Sequence, residues 1–295
     1  MRVFLTGATG FIGSAMIPEL EAAGHEVLGL ARNDEAAAKL ERAGVTAHRG
    51  DLGEPQTLAA GAAACDATIH CAFIHDFSRF AQNIAIDRTA VEAMLGALAG
   101  SGKAFLLTSG VLMVDAGREA TEEDPASREG LGAGRGVTEA MVEASAARGV
   151  RGAIVRLPQV HDAEKHGLVS LAIQTAREKG VSAYVGDGSN RWAAAHVSDV
   201  ARLYQAVLEN GEAGARYHAV GESGVAMRDI AEAIGRRLGL PTVSIAPEQA
   251  LEHFGFIGMF AVRDAPVSSR LTRERLGWTP VGPGMIADID AMQLA

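Results

Sequence analysis

Short apolar runs alternate with helix-favouring stretches through the first half of this chain. The apolar runs fall at 3–5, 27–30, 46–48, 67–72, 104–108 and 152–157, and helical patterns at 11–23, 35–43, 55–63, 80–98 and 131–147 separate them. Such alternation predicts a parallel sheet covered on both faces, because each parallel pair needs a crossover and the crossover helix lies on the sheet. Right-handed crossovers then leave little topological freedom. The expected class is α/β, a doubly wound parallel sheet of the Rossmann type. After Pro158 the rhythm changes. A helical stretch at 168–179 leads to an apolar run at 181–185 and a turn, Gly186-Asp-Gly-Ser189. Ser198 reads as the N-cap of a helix at 199–208, followed by a short strand at 217–220. The stretch 227–238 places Ile230, Ala231, Ile234 and Leu238 on one helical face. The expected organisation is a dinucleotide-binding domain over 1–157, with 192–220 returning to it. A smaller lobe from 158–191 and 221–295 would cap the strand ends and wall the substrate.

Ligands of open parallel sheets sit outside the carboxyl ends of the strands. The first such end carries Gly7-Ala-Thr9-Gly10-Phe11-Ile12-Gly13, directly after a strand and opening a helix. Gly7 permits a sharp turn, Gly10 lets backbone N–H groups approach a phosphate, and Gly13 lets the helix lie close. A strand, a glycine turn and a helix N-terminus together suit a dinucleotide's diphosphate. A glycine triplet alone is a weak signal, and a glycine loop without a ligand is the alternative reading. The context makes it strong.

Bulk properties narrow the partners. With 295 residues, 48% of them hydrophobic and 21% charged, the chain can bury about 75% of its unfolded surface without a metal or disulfide staple. A net charge of −9 argues against nucleic acid and anionic membranes. No apolar run reaches membrane-spanning length, and Gly7 leaves no room for a signal peptide before it. Two cysteines, Cys65 and Cys71, fit a reducing, cytoplasmic setting, and without clustered histidines they make no metal site. Cys71 sits in a strand-like run and reads as a small buried apolar residue.

The residue ending the second strand reads the adenosine ribose: an acid there selects NAD, an arginine accommodates the 2′-phosphate of NADP. The chain has Gly29-Leu30-Ala31-Arg32-Asn33, with no acid at the strand end. Arg32 brings a planar donor fork suited to phosphate, whereas Asp34 belongs to the start of the next helix. The expected cofactor is NADP(H) rather than NAD(H); the alternative for Arg32 is a solvated surface charge.

Thr6-Gly-Ala-Thr-Gly-Phe-Ile-Gly13, Arg32, Gly50-Asp51-Leu52, Leu107-Thr108-Ser109, Arg156-Leu157-Pro158 and Ala194-Ala-His-Val-Ser-Asp-Val-Ala201 occur in this order. Together they resemble the extended short-chain dehydrogenase/reductases, the epimerase/dehydratase-like group, over essentially the whole chain. The resemblance implies that Asp51 and Leu52 bracket the adenine and that Cys71, Ala72 and Phe73 line the cofactor after the fourth strand. It also implies that Thr108 and Ser109 face the nicotinamide ribose, with Leu157 and Pro158 on the carboxamide side. One departure is large. The family's Tyr-x-x-x-Lys pair, whose lysine lowers the tyrosine pKa, is missing. Tyr184, Tyr204 and Tyr217 are the chain's tyrosines, and none has lysine four residues on. Arg135 falls where the lysine would stand and Leu131 where the tyrosine would. The serine position is also shifted, with Gly110 following Thr108-Ser109.

Hydride transfer then needs a proton source and a donor for developing oxyanion charge. Arg135 can anchor the ribose but cannot readily shuttle protons. Ser109 is the best-placed hydroxyl, unless it is a turn residue. His75, beside Asp76, and His161 and His166 stand in predicted pocket loops and could act as acids, the alternative being surface or structural histidines. His70, inside a strand, reads as core. On the substrate side, Arg191 could pair with an anionic or carbonyl group and Trp192 could cover a ring; a packed tryptophan beside a surface arginine is the rival reading. Phe254, Phe256, Met259 and Phe260 could form an apolar lid, or ordinary core. The expected activity is reduction or oxidation of a small, mainly apolar carbonyl, hydroxyl or imine compound with a proton donor other than tyrosine. The rivals are an epimerase or dehydratase on a larger, nucleotide-sugar-like substrate, and a non-catalytic NADP-binding sensor. Small residues near Gly132, Gly134 and Gly136 would allow a homodimer through the fourth and fifth helices.

Overall fold

A computed structural model describes residues 1–76, 79–114, 116–129 and 133–293. Among them, seven parallel strands form the central sheet. These are β1 (Arg2–Thr6), β2 (Glu26–Ala31), β3 (Thr46–Arg49), β4 (Ala67–His70), β5 (Ala104–Gly110), β6 (Arg151–Leu157) and, later in the chain, β10 (Arg216–His218). Their order is β10-β6-β5-β4-β1-β2-β3, so the direction of winding reverses between β1 and β4. That reversal opens a crevice above the strand ends, next to the glycine turn.

Helices α1 (Phe11–Ala22), α2 (Asp34–Arg42), α3 (Pro55–Ala63), α4 (Phe80–Leu98) and α5 (Ala133–Ala144) make the crossovers of the first half. The period of two along each strand divides the core. Val3, Leu5, Ile69 and Leu106 pack beneath α1 and the later helix α7 (Val197–Asn210), while Phe4, Phe105, Leu107 and Ile154 pack beneath α3, α4 and α5. The start of the fifth predicted helix, with Leu131 and Gly132, lies outside the described residues.

Beyond β6 the chain builds a second core. Strands β7 (Gln159–His161), β9 (Arg191–His196) and β11 (Glu222–Ala226) form a small sheet, and β8 (Ser182–Val185) pairs with β12 (Thr242–Ile245). Around them lie α6 (Val169–Lys179), α8 (Met227–Leu238), α9 (Ala250–Phe254), α10 (Gly258–Ala261), α11 (Arg270–Leu276) and α12 (Met285–Ala291). The segment 192–220 is divided between the two regions: α7 packs on α1 and β10 joins β6, but β9 belongs to the small sheet. The cap of α7 is not Ser198. His196 holds that position, and its Nδ1 accepts from the Ser198 backbone N–H.

Candidate active site

Gly7 has φ +73°, and a Cβ there would meet the Ala72 backbone at 2.8 Å. Gly13 is tighter still, since a Cβ would lie 2.1 Å from the Gly7 carbonyl. The turn therefore locks β1, the end of β4 and the start of α1 into one block. Gly10 differs: its φ of −79° suits any residue, and no side chain caps the α1 N-terminus. Uncapped N–H donors at a helix start make an anion site when exposed. Thr9 is pinned through its carbonyl, which accepts from Lys39 Nζ at 2.7 Å. Phe11 and Ile12 are half-buried at the start of α1. Lys165 Nζ stands 5.5 Å from the Phe11 ring centre, reached from the loop after β7.

Below the crevice runs a chain of buried polar groups. The backbone N–H groups of Cys71 and Ala72 both donate to Thr6 Oγ1 at 3.1 Å. Both lone pairs being taken, the Thr6 hydroxyl donates to His70 Nδ1, 2.8 Å away. His70 then carries its proton on Nε2 and donates to Asp87 Oδ1 at 3.2 Å. The other oxygen of Asp87 accepts from Arg135 at 2.9 Å, and Arg135 also donates to the Thr108 carbonyl at 2.5 Å. Burial would raise the Asp87 carboxyl, but Arg135 and His70 outweigh it and hold it below its ordinary range. His70, expected as plain core, is buried yet wholly engaged in this chain. Asp87 was not visible as a site residue; its signal is a charge on the inner face of a helix whose buried side also carries Asn83, Ile84, Ala90, Val91 and Met94.

Above this chain stand half-buried Phe73 and Thr108 and exposed His75. The Arg135 guanidinium lies 4.8 Å from the Phe73 ring centre, and the His75 ring meets Phe73 edge-on at 5.5 Å. Asn83 holds this loop from α4, donating to the carbonyls of Ile74 and Asp76. Desolvation, opposed by a hydrogen bond with the Phe73 backbone and reinforced by the Arg135 charge, lowers the His75 pKa. Thr108 Oγ1 lies 2.6 Å from Tyr204 Oη. Tyr204 is fully buried, and burial drives its pKa well above the ordinary value, so it cannot stand in for a missing acid. Burial likewise pushes the Cys71 thiol up to about 11, consistent with an inert neighbour. Around the rim, Arg32 is exposed just beyond β2, Asp51 and the buried Leu52 follow β3, and half-buried Leu157 with buried Pro158 end β6.

Four sequence expectations land elsewhere. Ser109 is 4% exposed, and the alternation of β5 sets it with Phe105 and Leu107 under α4 and α5, its Oγ without a partner among the described residues. It is not an open hydroxyl. Trp192 is 1% exposed in the second core, because β9 is a central strand of the small sheet. Arg191 is committed to Asp264, with bonds of 3.0 and 2.8 Å. His161 is fully buried and bonded through Nδ1 to Asp288 Oδ2 at 2.6 Å, so it presents nothing to a substrate. Of the lid candidates, Phe254 and Phe260 are buried; Phe256 is half-buried and meets Phe80 at 6.0 Å and Phe260 at 5.5 Å. Sequence reasoning also missed Asp199, which accepts from the Val281 and Gly282 N–H groups at 2.9 Å and clamps the C-terminal segment to α7.

The sequence pattern of the NAD dependent epimerase/dehydratase family matches residues 3–220, from β1 to just past β10. The chain belongs to that family. An uncharacterized protein of Saccharomyces cerevisiae is 46% identical over 294 residues, 99% of this chain and 98% of its own length. Another, from Schizosaccharomyces pombe, is 43% identical over 291 residues, 98% of each chain. Among solved structures, the dTDP-glucose 4,6-dehydratase DesIV of Streptomyces venezuelae, with NAD and TYD bound, shares the fold. Its TM-score is 0.78 at 20% identity, over 99% of this chain and 96% of that one. The epimerase/dehydratase family thus accounts for the doubly wound sheet and the nucleotide-type turn.

Proposed function

We propose that this protein is an NADP(H)-dependent oxidoreductase that acts on a small, mainly apolar carbonyl, hydroxyl or imine compound, with a proton donor other than tyrosine. The observation that carries the reading is Arg135, anchored by Asp87 and the Thr108 carbonyl at the floor of the crevice, beneath Phe73 and His75. The turn at 7–13 fits a diphosphate, since its uncapped N–H groups and the Cβ-free surface at exposed Gly10 face outward. Choice of NADP is supported at the end of β2. Arg32 is exposed there, no acid ends the strand, and Asp34 beyond it is paired with Arg49 at 2.6 Å.

The nicotinamide, when bound, supplies the hydride. The protein's share is to orient and to move one proton, so that a carbonyl gaining hydride at carbon gains H⁺ at oxygen. Arg135 serves as anchor and electrostatic support through its planar guanidinium. His75, exposed above Arg135, is the titratable donor, and Phe73 with Phe80 gives the site an apolar wall. The test is a fluorescence titration of cofactor-free protein with NADPH and with NADH, repeated with Arg32→Asp. Tighter NADPH binding, lost in the variant, is expected, followed by NADPH oxidation on a carbonyl and imine panel. Equal binding of both nucleotides sinks the NADP assignment, and no turnover on a broad panel sinks the oxidoreductase.

A further inference from the structure

We infer that Asp87 and His70 are positioning residues, which hold Arg135 in place for the nicotinamide half of the cofactor. This rests on the nucleotide-dependent reading above. The Asp87 and His70 side chains are each 1% exposed, and the Arg135 side chain is 12% exposed at the floor of the crevice. A pair so deep costs desolvation free energy that an apolar core would not, so its geometry has a use or is a loss. The geometry is specific. Thr6 fixes the His70 tautomer, His70 occupies one Asp87 oxygen, and the remaining oxygen faces Arg135. Arg135 spends two of its five donors on Asp87 and the Thr108 carbonyl among the described residues. The other three remain for hydroxyl groups arriving from the crevice. The Phe73 ring closes one face of the guanidinium, so the plane has one orientation.

The series begins at Thr6, the residue before Gly7, and ends at Arg135 on α5. Its middle members, the buried His70 and Asp87, tie the diphosphate turn to the nicotinamide side without touching the ligand themselves. Loss of the Asp87 charge would therefore release Arg135 while leaving the adenosine half of the site as it was.

The test compares two ligands on the full chain: NADPH, and adenosine 2′,5′-bisphosphate, which lacks the nicotinamide ribose (NADH and adenosine 5′-monophosphate if the wild type selects NADH). Asp87→Asn is expected to weaken NADPH about tenfold to thirtyfold and to leave the bisphosphate unchanged, the latter also reporting a folded nucleotide site. His70→Leu should act in the same direction with a smaller effect, and carries the test if Asp87→Asn does not fold. Asp87→Asn combined with Arg135→Gln should be no worse than Arg135→Gln alone, because both act through one contact. Unchanged NADPH binding, equal weakening of both ligands, or additive losses in the double variant would overturn the inference. If the wild type binds neither ligand, the nucleotide reading itself fails and the inference goes with it.

Discussion

Arg49, at the end of β3, donates to Asp34 at 2.6 Å, across the mouth of the β2 strand end that Arg32 overlooks. Both partners are largely exposed, with side-chain exposures of 55% and 99%, so the pair contributes little to stability. Its effect falls on selectivity, because it neutralises an acid just beyond the end of β2. Arg49→Ala should leave the thermal midpoint within about 2 °C of wild type. The same variant should lower the ratio of NADPH to NADH affinity several-fold, read by paired fluorescence titrations. A ratio that stays constant would mean that Asp34 does not face the ribose.

His75 has its pKa lowered by desolvation, against the Phe73 backbone hydrogen bond and with the Arg135 charge adding to the fall. Its imidazolium is therefore scarce at neutral pH and accumulates only below the ordinary histidine value of about 6.5. Carbonyl reduction by NADPH should accelerate as pH falls through that region. His75→Gln should flatten this limb and lower kcat by about 10²-fold or more at pH 6, with nucleotide affinity kept. An unchanged pH profile would remove His75 from the chemistry.

Local rules revealed the strands, the crossover helices and the glycine turn because each of these is written in neighbouring residues. Short apolar runs mark β1 to β6, and Gly7 and Gly13 are demanded by contacts that a Cβ would violate. The small sheet was hidden for the opposite reason. β9 pairs with β7 and with β11, partners distant in sequence, and its alanines and Trp192 read equally well as a loop lining a pocket. The polar floor was hidden too. His70 and Asp87 are seventeen positions apart on a strand and a helix, and only the stacking of α4 over β4 turns a core-looking histidine and a helical aspartate into one arrangement. The fold gives Ser109 and His161 the reverse fate: both stand in the right loops and strand ends, and strand alternation turns them inward.

Ser109 Oγ is buried with no hydrogen-bond partner among the described residues. An unsatisfied buried hydroxyl costs about 1–3 kcal/mol, so its removal should not harm the fold. Ser109→Ala is expected to keep or raise stability by up to about 1 kcal/mol in urea unfolding, and to keep kcat/KM within about threefold of wild type. A loss of 10²-fold with unchanged stability would show that the hydroxyl turns into the crevice and meets the substrate.

His218 donates from Nδ1 to the Ser268 carbonyl at 2.8 Å, and its Nε2 lies 3.3 Å from Arg156 Nη1, which donates to it. The second bond requires the neutral ring, whereas the bond to Ser268 survives protonation and pulls the pKa up. Burial first, and the Arg156 charge second, depress its pKa to about 4, despite the opposing pull of Glu122 and Glu139. Between about 6.5 and 4 the unfolded chain holds a proton here that the folded chain does not, so stability falls as pH falls through this window. The full loss, roughly 3 kcal/mol at most, is reached near pH 4 and does not grow below it. Burial lowers the His161 and His166 values as well, so they share this acid limb. His218→Gln should therefore shrink the slope of unfolding free energy between pH 6.5 and 4 without abolishing it, measured by urea titration at each pH. An identical slope in the variant would mean that His218 charges in the folded state as easily as in the unfolded chain, and that Arg156 with its Glu139 partner tolerates a second buried cation.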